Sequence, residues 1–397
     1  MKTVYLDHCA TTPLHPDVLT AMLPFLQDSF GNPSSIHALG RKARDAVEEA
    51  RDRVAALISA NASEIVFTSG GTEANNLAIQ GIVRARKDRG NHIITSAIEH
   101  HAVLKTCQYL ERDGFTVTCL PVDHHGIVNP EDVKNALTDK TILVSVMHAN
   151  NEVGTIEPIN EIGRIVTERG IPFHTDAVQS AGKVPLNVKE MGVDLLSISA
   201  HKFYGPKGIG ALYIREGIRI DPILYGGEQE MGIRSGTENV ASVAGLGKAC
   251  ELARETVANL IPEALAEIRK LRDSLQERIL AAVPGLKING HPVSRLPNCL
   301  SVSVPGIMGE IILRDLDARG IAVSSGSACT SHSVEISHVL SAMGLPEETA
   351  QGTVRLSLGI MNTPDEIEYA ATSFVEVVEK LKTLSEIENS LGSRRCY

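Results

Sequence analysis

No apolar run in this 397-residue chain approaches the roughly 20 residues needed to cross a bilayer, so a membrane-spanning reading is set aside. The opening MKTVYLDHCATT has no apolar core of the kind a secretory signal carries; polar and charged residues follow at once, and the expected location is the cytoplasm. Excess positive charge is missing too. A formal net charge of -10 argues against direct nucleic-acid binding. The seven cysteines (Cys9, Cys107, Cys119, Cys250, Cys299, Cys329, Cys396) contain no CxxC pair and are odd in number, which points to reduced thiols rather than a disulfide framework. For most of them the plain expectation is a small buried hydrophobe. Internal repeats and low-complexity tracts are also lacking.

What is present is an alternation. Apolar residues at Ala43, Val47, Ala50, Val54 and Leu57 have helical spacing, and the short apolar run EIVFTS that follows reads as a buried strand. HIITS, FTVTCLPV, TILVSVM, PFHTD and DLLSISA repeat the strand signal, most of them separated by helix-length mixtures of polar and apolar residues. That is the pattern of an α/β body with a mostly parallel sheet covered by helices, in which ligands bind at the carboxyl ends of the strands. A long helical stretch over roughly Val240–Ala281 leads to a second, α+β unit with strands near Cys299–Val304, Ile321–Ser324 and Thr353–Leu358. The last residues, GSRRCY, are expected to fray.

Four segments carry chemistry. In SGGTEANN, Gly70 and Gly71 permit a tight turn, Thr72 offers a hydroxyl, and the following helix points free N–H groups back at it, which makes an anion seat. Asp176 closes the strand PFHTD; the alternative role is a helix N-cap. The next strand ends in SISAHKFYGPKG, where Lys202 follows small residues that bring it out beside the same edge. A carboxylate and a lysine at adjacent strand ends are what pyridoxal phosphate requires: the acid keeps the pyridine nitrogen protonated and the lysine supplies the Schiff base. Ser199 and His201 flank that lysine and complete a phosphate seat; Lys207, on the GPKG turn, is the rival lysine. In IEHHAV, a histidine just past a strand end is placed to stack on a ring and move protons near neutral pH. Finally, six of the eight residues from Ser324 to Ser331 are Gly, Ala or Ser, with Cys329 and Thr330 the others. Such a stretch is expected to move and to keep Cys329 reachable.

Taken together, YLDHCATTP, FGNPSSIHALG, FTSGGTEANNLAI, EHHAVL, NNEVGTIEPI, HTDAVQSAGK, SAHKFYGPKGIGALY, RSGTENV, LPNCLSVSV, SSGSACTSHS and TVRLSLG resemble, in this order and across essentially the whole chain, the group I cysteine desulfurases (NifS/IscS type) of the class V aminotransferase family. The resemblance implies a large domain over 16–258 that binds pyridoxal phosphate, with a mostly parallel seven-stranded sheet. A smaller α+β domain over 259–397 would carry the catalytic cysteine and the substrate-carboxylate arginine, with residues 1–15 packing against it. It also implies roles. Lys202 is the Schiff-base lysine, Asp176 the partner of the pyridine nitrogen, Gln179 the contact to the ring hydroxyl, and Asn151 lies near that hydroxyl and the substrate. His100 stacks on the ring, and Gly71, Thr72, Ser199 and His201 bind the phosphate. Thr237 reaches the phosphate of the other subunit of a homodimer, Arg355 holds the substrate carboxylate as a bidentate pair, and Cys329 accepts sulfur as a persulfide. The expected activity is conversion of L-cysteine to L-alanine, the sulfur passing to an iron-sulfur scaffold or another acceptor protein. No resident metal is expected, although Cys329 is placed to ligate a nascent cluster briefly. A selenocysteine lyase and a catalytically silent sulfur or iron-sulfur carrier are the alternatives. Several positions depart from the family pattern: Cys9, Glu228, Met231, Ile336, Met361 and a short C-terminal tail, which bear on partner docking rather than on the core constellation.

Overall fold

The structure is a computed structural model that describes residues 3–257, 262–325 and 336–392. It opens with a two-residue strand β1 (Val4–Tyr5) and then builds a seven-stranded sheet from β2 (Ile65–Thr68), β3 (His92–Ser96), β4 (Thr116–Leu120), β5 (Thr141–Ser145), β6 (Phe173–Asp176), β7 (Leu195–Ser199) and β8 (Gly210–Ile214). The spatial order is β2-β8-β7-β6-β5-β3-β4. All neighbours pair parallel except β8, which runs antiparallel to both β2 and β7. β2, β3, β5, β6, β7 and β8 are buried along their whole length, and this is why they read as continuous apolar runs rather than alternating ones. Edge strand β4 is largely open, and its Cys119 is exposed. Helices cover both faces. One apolar core packs Val47, Val54, Phe173 and Leu246 together, and the other packs Leu77, Ile82, Val103 and Leu143.

A second core lies around a three-stranded antiparallel sheet of β9 (Lys287–Asn289), β10 (Cys299–Ser303) and β12 (Thr353–Ser357), in the order β12-β10-β9. Leu275, Ile279, Leu300, Val354 and Phe374 fill it, and Val4 and Leu6 from the amino-terminal segment join them. That segment is drawn in because β1 pairs with β11 (Ile321–Ala322) and Asp7 bridges to Ser357. The expected long helical connection consists of two helices, Val240–Val257 and Pro262–Ala282. β8, whose GALYI was not read from the pattern, completes the sheet. A third expected strand, Ile321–Ser324, is shorter than its apolar run suggests, although Ser324 continues the pairing through a bridge to Arg355. Among the described residues no helix is long and apolar enough to cross a membrane.

One buried ion pair positions the segment between β8 and the helix Val240–Val257. Arg51 donates from Nη1 and Nη2 to the two carboxylate oxygens of Glu230 at 2.8 and 2.9 Å, and the Phe67 N–H donates to Glu230 at 2.8 Å. Glu230 and Met231 both sit in the left-handed region (φ 47° and 58°), which costs energy for residues with a side chain and persists because the carboxylate is held from three directions. The flanking Glu228 and Met231, where the family pattern is departed from, point to solvent. A second pair, Arg234 with Glu73 at 2.8 Å, ties the same segment to the helix that begins at Gly71. Replacement Glu230→Gln leaves the buried Arg51 charge with only the more exposed Glu48 carboxylate, at 3.3 Å, beside it. It is expected to destabilise the fold by about 3–5 kcal/mol, read as a lower urea midpoint; an unchanged midpoint would show that the pair positions nothing.

Candidate active site

A cavity of about 430 Å³ opens where the carboxyl ends of the parallel strands meet the amino-terminal segment and β12. Gly71, Thr72, His100, Asn151, Asp176, Gln179, Ser199, His201, Lys202 and Arg355 all line it, so residues spread over almost 300 positions of sequence converge on one space. Thr237 does not line the cavity of its own chain and is exposed. Lys207, the rival lysine, is exposed on its turn and does not line it either. Cys329 lies outside the described residues, but the chain on both sides of it is anchored here. Ser324 exchanges two backbone hydrogen bonds with Arg355 (3.1 and 2.7 Å), and Ile336, Ser337 and His338 line the cavity.

Each side chain is placed by a local cause. Asp176, the last residue of β6, accepts from the Val178 N–H at 2.9 Å and from Asn75 Nδ2 at 2.6 Å, which leaves the carboxylate buried, oriented and with lone pairs to spare. Asn75 was not singled out from the sequence, although its position one helical turn beyond Gly71 and Thr72 is the signal that would have found it. Lys202 ends a short 3₁₀ turn (Ala200–Lys202) that follows β7; its Nζ donates to the carbonyl oxygens of Cys9 and Ala10 at 2.8 and 2.7 Å. Gln179 Nε2 donates to the same Cys9 carbonyl at 2.8 Å, and Lys183 Nζ donates to Gln179 Oε1 at 3.1 Å. Arg355 donates from Nη1 to the Asn151 carbonyl at 2.7 Å and from Nη2 to Asp7 at 2.9 Å, while its buried Nε has no hydrogen-bond partner among the described residues.

Burial sets most of the electrostatics. Glu99, missed in the sequence reading, is pushed up to about 8 by desolvation, with the nearby Asp176 carboxylate adding to the rise; its backbone carbonyl accepts from His338 Nε2 at 2.9 Å. Desolvation likewise pushes Glu152 up to about 7, against the pull of a Ser337 hydroxyl at 2.5 Å and the Arg355 charge. Two carboxyls with raised values thus stand near Asp176, which keeps two hydrogen bonds to its oxygens. His201 falls to about 4, chiefly by burial and then by the positive charge of Lys202. His100 is lowered by burial as well, only partly offset by Asp176, so its ring is neutral near pH 7. It caps the helix His101–Arg112 by accepting the Ala102 N–H at Nδ1 (3.1 Å), which leaves Nε2 as the nitrogen free to exchange a proton.

This donor set fits pyridoxal phosphate. Asp176 offers a fixed acceptor for a ring N–H, Lys202 an amine for the aldehyde carbon, and the Gly70–Gly71 turn a cradle at the start of the helix Gly71–Arg86. A side chain on Gly71 would come within 2.7 Å of Val178 Cγ2, and Gly70 has φ 148°, so the turn is restricted to glycine by both crowding and conformation. Ser199 stands beside that turn, and His201 lines the same cavity.

The comparisons agree with this geometry. The chain matches the aminotransferase class-V family over residues 4–370. It is 52% identical over 384 residues to the cysteine desulfurase IscS of Dictyoglomus turgidum, covering 97% of this chain and 96% of that one. It is 53% identical over 388 residues to the cysteine desulfurase IscS of Clostridium botulinum, covering 97% of each. Among solved structures, a NifS-like protein superposes with a TM-score of 0.89 at 40% identity over 95% of this chain and all of that one. A second, SspA in complex with cysteine, gives 0.81 at 39% identity over 91% of this chain and all of that one. In sequence and in fold alike, the chain belongs to the aminotransferase class-V family.

Proposed function

We propose that this protein is a pyridoxal-phosphate-dependent cysteine desulfurase that converts L-cysteine to L-alanine, moves the sulfur to Cys329 as a persulfide, and hands it to an acceptor protein, an iron-sulfur scaffold in our reading. The observation that carries the proposal is the convergence of Lys202, Asp176 and Arg355 on one buried cavity. Bound pyridoxal phosphate supplies an electron sink for the bond changes at the substrate Cα. Lys202 attaches the cofactor and, once displaced by the substrate amine, is the base that takes the Cα proton. Asp176 keeps the ring nitrogen protonated. Gly71, Thr72, Ser199 and His201 would hold the phosphate, His100 would lie against the ring, and Gln179 and Asn151 would serve the ring hydroxyl.

Arg355 receives the substrate carboxylate. Its guanidinium stays charged: burial works against the charge, and the Cys9 sulfur and then the Asp7 carboxylate hold it, while the unpartnered Nε–H is one of the donors left for the ligand. Cys329, as the thiolate, attacks the substrate sulfur: the C–S bond breaks as the S–S bond forms, and the thiol proton ends on alanine. In this reading His100 Nε2 carries that proton. The same reading takes 16–258 and 259–397 as the two domains, with residues 1–15 joined to the second; separate apolar cores, one with Val243 and Leu246 and one with Val4, Leu6 and Ile268, support it. A homodimer is part of the same proposal: Phe30, Ile36 and Tyr225 are 73%, 86% and 76% exposed, large apolar side chains of the kind a second copy would cover.

Substituting Lys202→Ala is expected to abolish covalent retention of pyridoxal phosphate after borohydride reduction and to lower alanine formation by roughly 100- to 10,000-fold; covalent attachment through Lys207 instead would reverse the assignment. Cys329→Ser should keep cofactor and cysteine binding near wild type while alanine release falls to background, because a hydroxyl can neither attack sulfur as a thiolate does nor hold a persulfide. Near-normal turnover by that variant, or a persulfide label on another cysteine, would remove Cys329 from the mechanism. Thr237→Ala is expected to weaken cofactor affinity by roughly ten- to a hundredfold, the loss of one hydrogen bond to a charged group (about 1.5–3 kcal/mol). Equilibrium dialysis would measure it, and an unchanged affinity would take away the argument for a shared site.

A further inference from the structure

Two thiols that this reaction does not use meet at the edge of the cavity. Cys9, in the segment whose carbonyl holds Lys202, is 1% exposed and Cys299, the first residue of β10, is fully buried. They share a small apolar cluster with Ala149 and Leu296. Ser357 fixes both. It is the cross-strand partner of Cys299, and its hydroxyl accepts the Cys9 N–H at 2.9 Å, so the two cysteines approach one residue of β12 from adjacent sides. The two side chains are neighbours in that cluster, and each acts on the other's ionisation. The remaining polar neighbours are distant ones for sulfur: Asn298 Nδ2 is 3.9 Å from Cys9 Sγ, and Cys299 Sγ donates to the Glu152 carbonyl at 3.8 Å.

Each thiol acts first on the other; the Lys183 and Arg355 cations then favour one negative charge between the two sulfurs, and the Asp7 carboxylate also faces Cys9, so the first proton leaves below the usual thiol range and the second above it. The other buried cysteines are different. Burial pushes Cys107 up to about 12 and raises Cys250 with only a partial offset from Arg53. Cys9 also lines the cavity, which opens a path for a small reagent.

We propose that Cys9 and Cys299 form an oxidisable dithiol, a modification site that closes to a disulfide under hydrogen peroxide. The Cys9 thiolate attacks one peroxide oxygen, the O–O bond breaks, and the leaving hydroxide takes up a proton as water; Cys9 becomes a sulfenic acid. The Cys299 thiolate then attacks the Cys9 sulfur, the S–O bond breaks, and a second water leaves. Two thiols are oxidised by two electrons and one peroxide is reduced to two waters. The cross-link fastens the segment that carries the Lys202-binding carbonyls onto β10. This inference goes beyond the desulfurase reading and does not depend on it.

The test is peptide mapping of the cofactor-loaded wild-type protein and of Cys329→Ser after peroxide treatment, alkylation and unfolding. The expected result in both is loss of the free thiols of Cys9 and Cys299 and recovery of their peptides joined and lighter by two hydrogens, reversed by a dithiol reductant, with Cys107 and Cys250 still alkylatable. In Cys299→Ala, Cys9 should instead be trapped by a sulfenic-acid reagent. Free Cys9 and Cys299 after a dose that oxidises the exposed Cys119 would overturn the proposal, as would a link from Cys9 to Cys329.

Discussion

The amine of Lys202 rests on two backbone carbonyls, those of Cys9 and Ala10, and the organisation of the cavity depends on that seat. The segment that supplies it belongs to neither sheet's interior. On one side it is stitched to the large sheet's edge, where the Thr12 N–H and hydroxyl both donate to the His201 carbonyl at 2.9 and 3.0 Å. On the other it runs beside β12, through the Asp7–Ser357 bridge and the ion pair of Asp7 with Arg355. A carbonyl pair accepts from an amine without neutralising it or competing for its covalent chemistry, so Lys202 is oriented yet remains a nucleophile and a base. The same few residues therefore set the distance between the lysine from one unit and the guanidinium from the other.

Burial then sorts the charges around that seat. Asp176, Glu99 and Glu152 all lie in or beside the cavity, and three close carboxylates in a dry space would repel one another. Glu99 and Glu152 are pushed up by desolvation, while Asp176 has two donors fixed on its oxygens. Histidines follow the same rule in the opposite direction: His100 and His201 are lowered by burial and are neutral near pH 7. A neutral His100 suits ring stacking and proton exchange, and a neutral His201 can donate a hydrogen bond to a phosphate without adding a charge.

The two arginine-glutamate pairs act at longer range. Arg234 and Glu73 join the helix that starts at the glycine turn to the segment carrying Thr237, and Arg51 with Glu230 anchors that segment to β2. Positive φ at two successive residues with side chains is tolerated there because a buried carboxylate bonded three ways outweighs the local conformational cost. The exposed Glu228 and Met231 belong to the same turn but contribute nothing to that anchor.

The α/β class, most of the parallel strands and the glycine turn were legible in the sequence, because buried strands are continuous apolar runs and a phosphate cradle needs glycine where φ is positive. Lys202 and Asp176 could be singled out by residue type and strand-end position, and Arg355 by the family resemblance of its motif. β8 could not be told from its neighbours, since GALYI has no period of its own and its antiparallel direction depends on what flanks it. Asn75, Glu99, Glu152, Glu230 and the Cys9–Cys299 pair were not legible either. Their importance lies in burial and in partners up to hundreds of residues away, as with Cys9 and Ser357 or Arg51 and Glu230. The sequence by itself determined which side chains are capable of the chemistry. Only the tertiary structure decided which of them share one desolvated space, because burial and long-range contact are set by packing between segments that no local pattern connects.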